Sequence, residues 1–94
     1  MSWTMPSGHP CLAGHFPGRP LAPGVTVLDA AFQAIAAAGH GRVARLRHAK
    51  FLAPVLPDRP VEILLSTHAP GRVAFRCLCD GVLALSGEAD VSAP

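Results

Sequence analysis

Ninety-four residues, half of them hydrophobic and only 15% charged, suffice for one domain with a single core and are too apolar for a disordered tail. A formal charge of +2, with no Lys/Arg run interleaved with aromatics, argues against nucleic acid as a partner. So apolar a chain of this size also implies that another subunit covers part of its surface, a dimer being the simplest assembly.

The first twenty-four residues are dense in Pro, Gly and His (among them Pro6, Gly8, His9, Pro10, Gly14, His15, Pro17, Gly18 and Pro23). Such punctuation breaks regular structure repeatedly, so a structured loop is expected, with a short strand around Trp3 to Met5. No basic, then apolar, then small-residue pattern of an export signal opens the chain, and a cytoplasmic location is expected. From Val25 to Ala38 there is neither Pro nor Gly until Gly39, a pattern that predicts one helix with a glycine stop. Its residues are apolar on nearly every side, so burial all round is expected. It is too short for the roughly 20 residues that span a bilayer and contains Asp29 and Gln33, so no membrane partner is expected.

After a basic connector, strand-like runs cover Arg45 to Leu52, Val61 to His68, Arg72 to Cys79 and Val82 to Val91. Pro70-Gly71 and Asp80-Gly81 mark two hairpin turns. The expected fold class is α+β: one domain over residues 1–94, a central helix followed by a four-stranded antiparallel meander, with the N-terminal strand as a fifth.

Asp29 is the most informative residue, because an ionisable group on an apolar helix is costly to bury charged and is driven toward neutrality or pairing. Gln33 lies four residues on, placed to hydrogen-bond and orient the carboxyl group. A proton donor and a structural crosslink both fit this arrangement. His15, held between Gly14 and Phe16-Pro17-Gly18, suits a general base, and a loop histidine bonded to backbone is the competing reading. His9, His40, His48 and His68 read as ordinary surface or satisfied residues. Gly24, with Val25 beside it, opens the helix, where backbone N–H groups lack intrahelical acceptors and can face a developing oxyanion.

Metal is not expected. His9, Cys11 and His15, and the pair Cys77 and Cys79, lack the spacing of zinc knuckles. Cysteines two apart on a strand face one side, where each behaves as a small hydrophobe. Three cysteines make an odd count and read as reduced thiols. Neither a nucleotide-binding glycine loop nor a serine-hydrolase elbow is present.

The stretch G-H-F-P-G-R-P-L-A-P-G-V-T-V-L-D-A-A-F-Q, Gly14 to Gln33, resembles the active-site signature of the bacterial 3-hydroxyacyl-[acyl-carrier-protein] dehydratases. Lys50-Phe51-Leu52-Ala53-Pro54-Val55 with Pro57-Asp58 is similar to the later K-F-x-x-P-V-x-P-G-D segment, without its Gly. The resemblance covers most of the chain. It implies a hotdog fold, a long helix wrapped by an antiparallel sheet, in which paired subunits build each site from the histidine of one and the acid of the other. By the same resemblance His15 would take a proton from C2, the Gly24 amide would polarise the thioester carbonyl, Asp29 would help expel the C3 hydroxyl, and Phe16 and Gln33 would contact substrate.

The acid here is Asp rather than the Glu of the more widespread branch, and the chain is shorter than usual before the His loop. His9-Pro10-Cys11-Leu12-Ala13-Gly14 resembles the opening of the small dehydratases of the aryl-polyene type, which implies a specialised pathway. An apolar tunnel lined by Phe32, Ile35 and Phe51 would hold the acyl chain, with no cofactor required. Arg19, Arg42, Arg45, Arg47 and Lys50 would attract an acidic acyl carrier protein. Two other functions fit the same fold: a hotdog acyl thioesterase, and a non-catalytic subunit of a heterodimeric dehydratase. The partner subunit is accordingly expected to be a second copy or another hotdog chain.

Overall fold

The computed structural model describes residues 2–4, 24–56 and 58–92. Five strands and one helix follow in the order β1 (Ser2–Thr4), α1 (Gly24–Ala37), β2 (Arg42–Phe51), β3 (Pro60–Ala69), β4 (Arg72–Cys79) and β5 (Val82–Ser92). The strands form one antiparallel sheet in the order β1-β3-β4-β5-β2, and α1 packs on one of its faces. This is the hotdog fold.

The local punctuation acts where the sequence puts it. Gly39 takes a φ of 86°, and the backbone N–H groups of Gly39 and His40 donate to the carbonyls of Ala36 and Ile35 at 3.0 and 3.2 Å. This is the 5→2 and 6→1 pair of a Schellman cap, which needs a residue at positive φ that glycine supplies at no steric cost. Asp80 and Gly81, at φ 53° and 78°, form the mirror-image turn that matches strand twist between the paired residues Cys79 and Val82.

The sheet is not the simple meander that the strand runs suggest. Only β3, β4 and β5 follow one another as hairpins, and β2 lies at the far edge against β5. Just after β2 the chain is held by the Leu52 N–H donating to the Ala84 carbonyl of β5 at 2.8 Å and by the buried Val55. Alternation marks a strand but leaves its neighbour open. Here the choice is made by fit: Val43, Leu46, Ala49 and Phe51 on β2 stand opposite Val91, Ala89, Gly87 and Leu85 on β5, one apolar row against another.

Gly87 makes the tightest point of that fit. A Cβ there would lie 2.5 Å from both the His48 carbonyl oxygen and the Phe75 ring. The bare backbone lets β2 and the buried Phe75 both come in, and Phe75 meets Phe32 of α1 edge to face with ring centroids 6.2 Å apart. Cys77 and Cys79 join this inner row, as small hydrophobes, and burial pushes the Cys77 thiol up to about 11.

Burial of α1 on every side is not seen among the described residues. Val27, Ala30, Ala31, Ala34 and Ile35 are buried, the i, i+3, i+4, i+7, i+8 stripe of a helix lying on one surface. Val25 is 72% exposed, and Asp29, Gln33, Ala36 and Ala37 are exposed as well. A single sheet face can cover only one stripe, and the apolar composition of the other side decides nothing by itself. Among the described residues no helix is long and apolar enough to cross a membrane.

Candidate active site

Val25, Asp29 and Gln33 stand at four-residue steps on the outward side of α1, so their side chains lie one above another. Gln33 Nε2 donates to Asp29 Oδ2 at 2.7 Å, the pairing that the spacing predicts. Both residues are exposed among the described residues, with the sheet behind the helix, where burial of Asp29 was expected. The bond fixes which carboxylate oxygen remains open to a reacting group.

At the start of α1, the Phe51 ring lies against the backbone of Gly24, three of its carbons 2.7 to 3.1 Å from where a Cβ would stand. Any side chain at Gly24 would have to displace that ring. Glycine therefore lets the end of β2 close over the first turn, whose N–H groups have no intrahelical carbonyl. The acid follows one turn beyond these donors, so a hydrogen-bond donor set and a carboxyl group share one side of one helix end.

Beyond Gln33, a groove of about 480 Å³ is lined by Phe32, Gln33, Ala36, Gly39, Gly41, Arg42 and Val43. Phe32 is thus at an acyl-sized apolar groove that begins at the amide bonded to Asp29. Ile35 is elsewhere, 0% exposed beneath the helix, and Phe51 stands at the opposite helix end. His15, Phe16 and Arg19 lie outside the described residues, as do His9 and Cys11, so what they would contribute is not part of this geometry. His48 is exposed on β2 and His40 is half-buried after the helix.

The side chains of Arg42, Arg45, Arg47 and Lys50 are all exposed on β2. Arg47 is spoken for: its Nε meets Asp90 Oδ1 at 2.7 Å, and that hydrogen bond is the main reason the Asp90 carboxyl is held below its usual range, with Arg72 and Arg45 adding to it. Arg72 stands 3.7 Å from both Glu88 and Asp90. Sequence reasoning missed Arg72 and Gly87. A lone glycine inside a strand pattern was the available signal for the second; the first becomes visible only once β4 and β5 are adjacent.

A hotdog fold with an acid and an amide bonded to each other on the outer side of its helix is what the geometry gives, and comparison with known proteins narrows it. Residues 1–88 match the family described as ApeI-like, ApeI dehydratase. The chain belongs to this family. It is 34% identical over 89 residues to the 3-hydroxyacyl-[acyl-carrier-protein] dehydratase FabZ of Actinobacillus pleuropneumoniae serotype 5b, covering 79% of this chain and 58% of that protein. Against the Thermus thermophilus protein of the same name the identity is 35% over 86 residues, 77% of this chain and 61% of that one. The chain therefore spans about three fifths of the curated relatives it matches. Among solved structures, the dehydratase heterocomplex ApeI:P from Xenorhabdus doucetiae is similar, with a TM-score of 0.78, 22% identity, and coverage of 95% and 81%. An uncharacterized protein from Erwinia carotovora subsp. atroseptica gives 0.80, 25%, 98% and 80%.

Proposed function

We propose that this chain is a dehydratase that removes water from a 3-hydroxyacyl thioester, with the acyl group carried on acyl carrier protein. The observation that supports it most is the Asp29–Gln33 pair, bonded at 2.7 Å on the open side of the helix, in a chain of the ApeI dehydratase family. His15 takes the proton from C2, and the electron pair left behind forms the C2–C3 double bond as the C3–O bond breaks. Asp29 delivers a proton to the departing hydroxyl, so that water leaves. The thioester oxygen, which gains charge in between, is met by the amides of Gly24 and Val25. The product is the trans-2-enoyl thioester.

A carboxyl group that acts as a general acid must still hold its proton at neutral pH, which takes desolvation or neighbours that favour the neutral form. Asp29 stands exposed among the described residues, and a second hotdog subunit laid over that side of α1 supplies cover and, by family resemblance, the histidine of the other chain. The heterocomplex named ApeI:P is one precedent for such a pair. Phe32, Ala36 and Val43 then receive the acyl chain, and the basic side of the molecule steers an acidic carrier toward it.

The test is turnover of a short 3-hydroxyacyl thioester, on carrier protein and on a small thiol mimic, with enoyl formation followed by absorbance and mass. Water loss by the wild type but not by His15→Ala or Asp29→Asn is expected. Release of free acid in place of enoyl product would replace this reading with a thioesterase. No turnover by a folded chain on either carrier, with activity restored by a second hotdog subunit, would make it one half of a heteromeric dehydratase.

A further inference from the structure

Helix α1 and strand β2 run in opposite directions, and this sorts the cations of β2 between two ends. Arg42 opens the strand just past the helix C-terminus, while Lys50 stands beside Phe51, whose ring lies on Gly24 at the helix start. Nine residues of strand part Arg42 from Phe51, about 30 Å. In the proposed dehydration, on which this inference rests, the thioester lies at the Gly24 end, and so does any carrier tethered to it. Arg42 is at the other end, where only the tail of the acyl chain arrives.

Arg42 lines the groove with Phe32, Gln33, Gly39, Gly41 and Val43, and no acid is among the lining residues. Arg47, Arg59 and Arg72 each meet a carboxylate; among the described residues the Arg42 side chain holds no ion pair. Its backbone is fixed opposite Ser92 of β5, whose Oγ donates to the Arg42 carbonyl at 3.4 Å. The helix end does not occupy the guanidinium either, since the N–H groups of Ala38, Gly39 and His40 already donate to the carbonyls of Ala34, Ala36 and Ile35. The space beside it is open: a Cβ at Gly39 would meet nothing within 4 Å.

From Asp29 to Ala37 the helix advances eight residues, about 12 Å, which an extended hydrocarbon covers in about ten bonds. A chain with its C3 at Asp29 therefore brings its far end to the Arg42 side of the groove. A methyl group there would strip water from the guanidinium and return nothing. A carboxylate would meet the planar fork with two charge-assisted hydrogen bonds.

We propose that Arg42 selects the far end of the acyl chain, and that the preferred substrate is a 3-hydroxyacyl thioester with a carboxylate at its other end, the monothioester of a dicarboxylic acid. Phe32 and Val43 hold the hydrocarbon between the two polar ends. The bonds made and broken at C2 and C3 are those of the proposed dehydration.

The probes are two pantetheine amides with acyl chains of about twelve carbons, one ending in methyl and one in carboxylate, unreactive because nitrogen replaces the thioester sulfur. Binding to the full chain is measured by calorimetry, so the readout does not need turnover; a chain that binds the probes but dehydrates nothing would sink the proposed reaction and still decide the tail preference. Wild type is expected to bind the carboxylate probe about tenfold more tightly than the methyl probe. Arg42→Gln is expected to lose that preference, chiefly through the carboxylate probe, and Arg42→Lys to keep about threefold, a charge without the fork. On the matching 3-hydroxyacyl thioesters the same order is expected in kcat/KM, carried by KM. Equal or tighter binding of the methyl probe by wild type would overturn the proposal, as would binding of neither probe or a preference that survives Arg42→Gln. Should circular dichroism show Arg42→Gln unfolded, an undiminished preference in Arg42→Lys would overturn it instead.

Discussion

The inward and outward sides of α1 share valine and alanine but differ in one respect, since the acid and the amide stand only on the outward side. Inward, Val27, Ala30, Ala31, Ala34 and Ile35 meet the sheet and are buried; small alanines let the helix come close while Ile35 fills the space beneath it. Outward, Val25, Asp29, Gln33 and Ala36 are exposed among the described residues. One side holds the fold together, and the other carries the groups to which the proposed mechanism gives the chemistry. A substitution should therefore damage either stability or chemistry, according to the side it falls on.

The strongest test of that division is Asp29→Asn. On the proposed mechanism turnover falls by roughly 10² to 10⁴, the range of a lost general acid. The urea midpoint should move by no more than about 0.5 kcal/mol equivalent, as for an exposed site. A large loss of stability would break the comparison. On the inward side, Ile35→Ala is expected to cost about 2–5 kcal/mol in urea unfolding, by lost transfer energy and the cavity left beneath the helix. Any surviving folded fraction should keep its specific activity.

The inner side of the sheet adds a pH signature. The Cys77 thiol has its pKa raised from 9.0 to about 11 by burial. The unfolded chain thus releases this proton near pH 9 while the folded chain holds it toward 11, so ionisation favours unfolding and stability falls as pH rises through that window. The loss is on the order of 3 kcal/mol, read as a falling urea midpoint whose slope Cys77→Ala removes. The smallest effect belongs to Gln33→Ala. Losing one exposed hydrogen bond to a carboxylate is expected to lower turnover roughly fivefold, about 1 kcal/mol, with stability unchanged. An effect as large as that of Asp29→Asn would make Gln33 a partner in the chemistry rather than a group that positions the acid.

Much of this was legible in the residues themselves. A run without Pro or Gly ending at Gly39 dictates a helix and its cap, because the Schellman hydrogen bonds need a residue at positive φ. Asp80-Gly81 and Pro70-Gly71 dictate hairpins for the same kind of reason. Asp29 and Gln33 were bound to meet once a helix formed, since four residues are one turn. These are short-range consequences, written within a few residues of where they act.

What the sequence left open involves groups far apart along the chain. That β2 lies beside β5 follows from apolar rows that match across some forty residues, with Gly87 making room for Phe75 and for the β2 backbone. Alternation within each strand is the same for either neighbour. Which side of α1 faces out depends on there being one sheet face to cover it, so Asp29 is open where composition suggested burial. The same placement puts four cations on the strand that ends the sheet among the described elements. Local patterning determined which elements form and which residues could do chemistry, and long-range packing alone decided which of them stand at a surface that another molecule can reach.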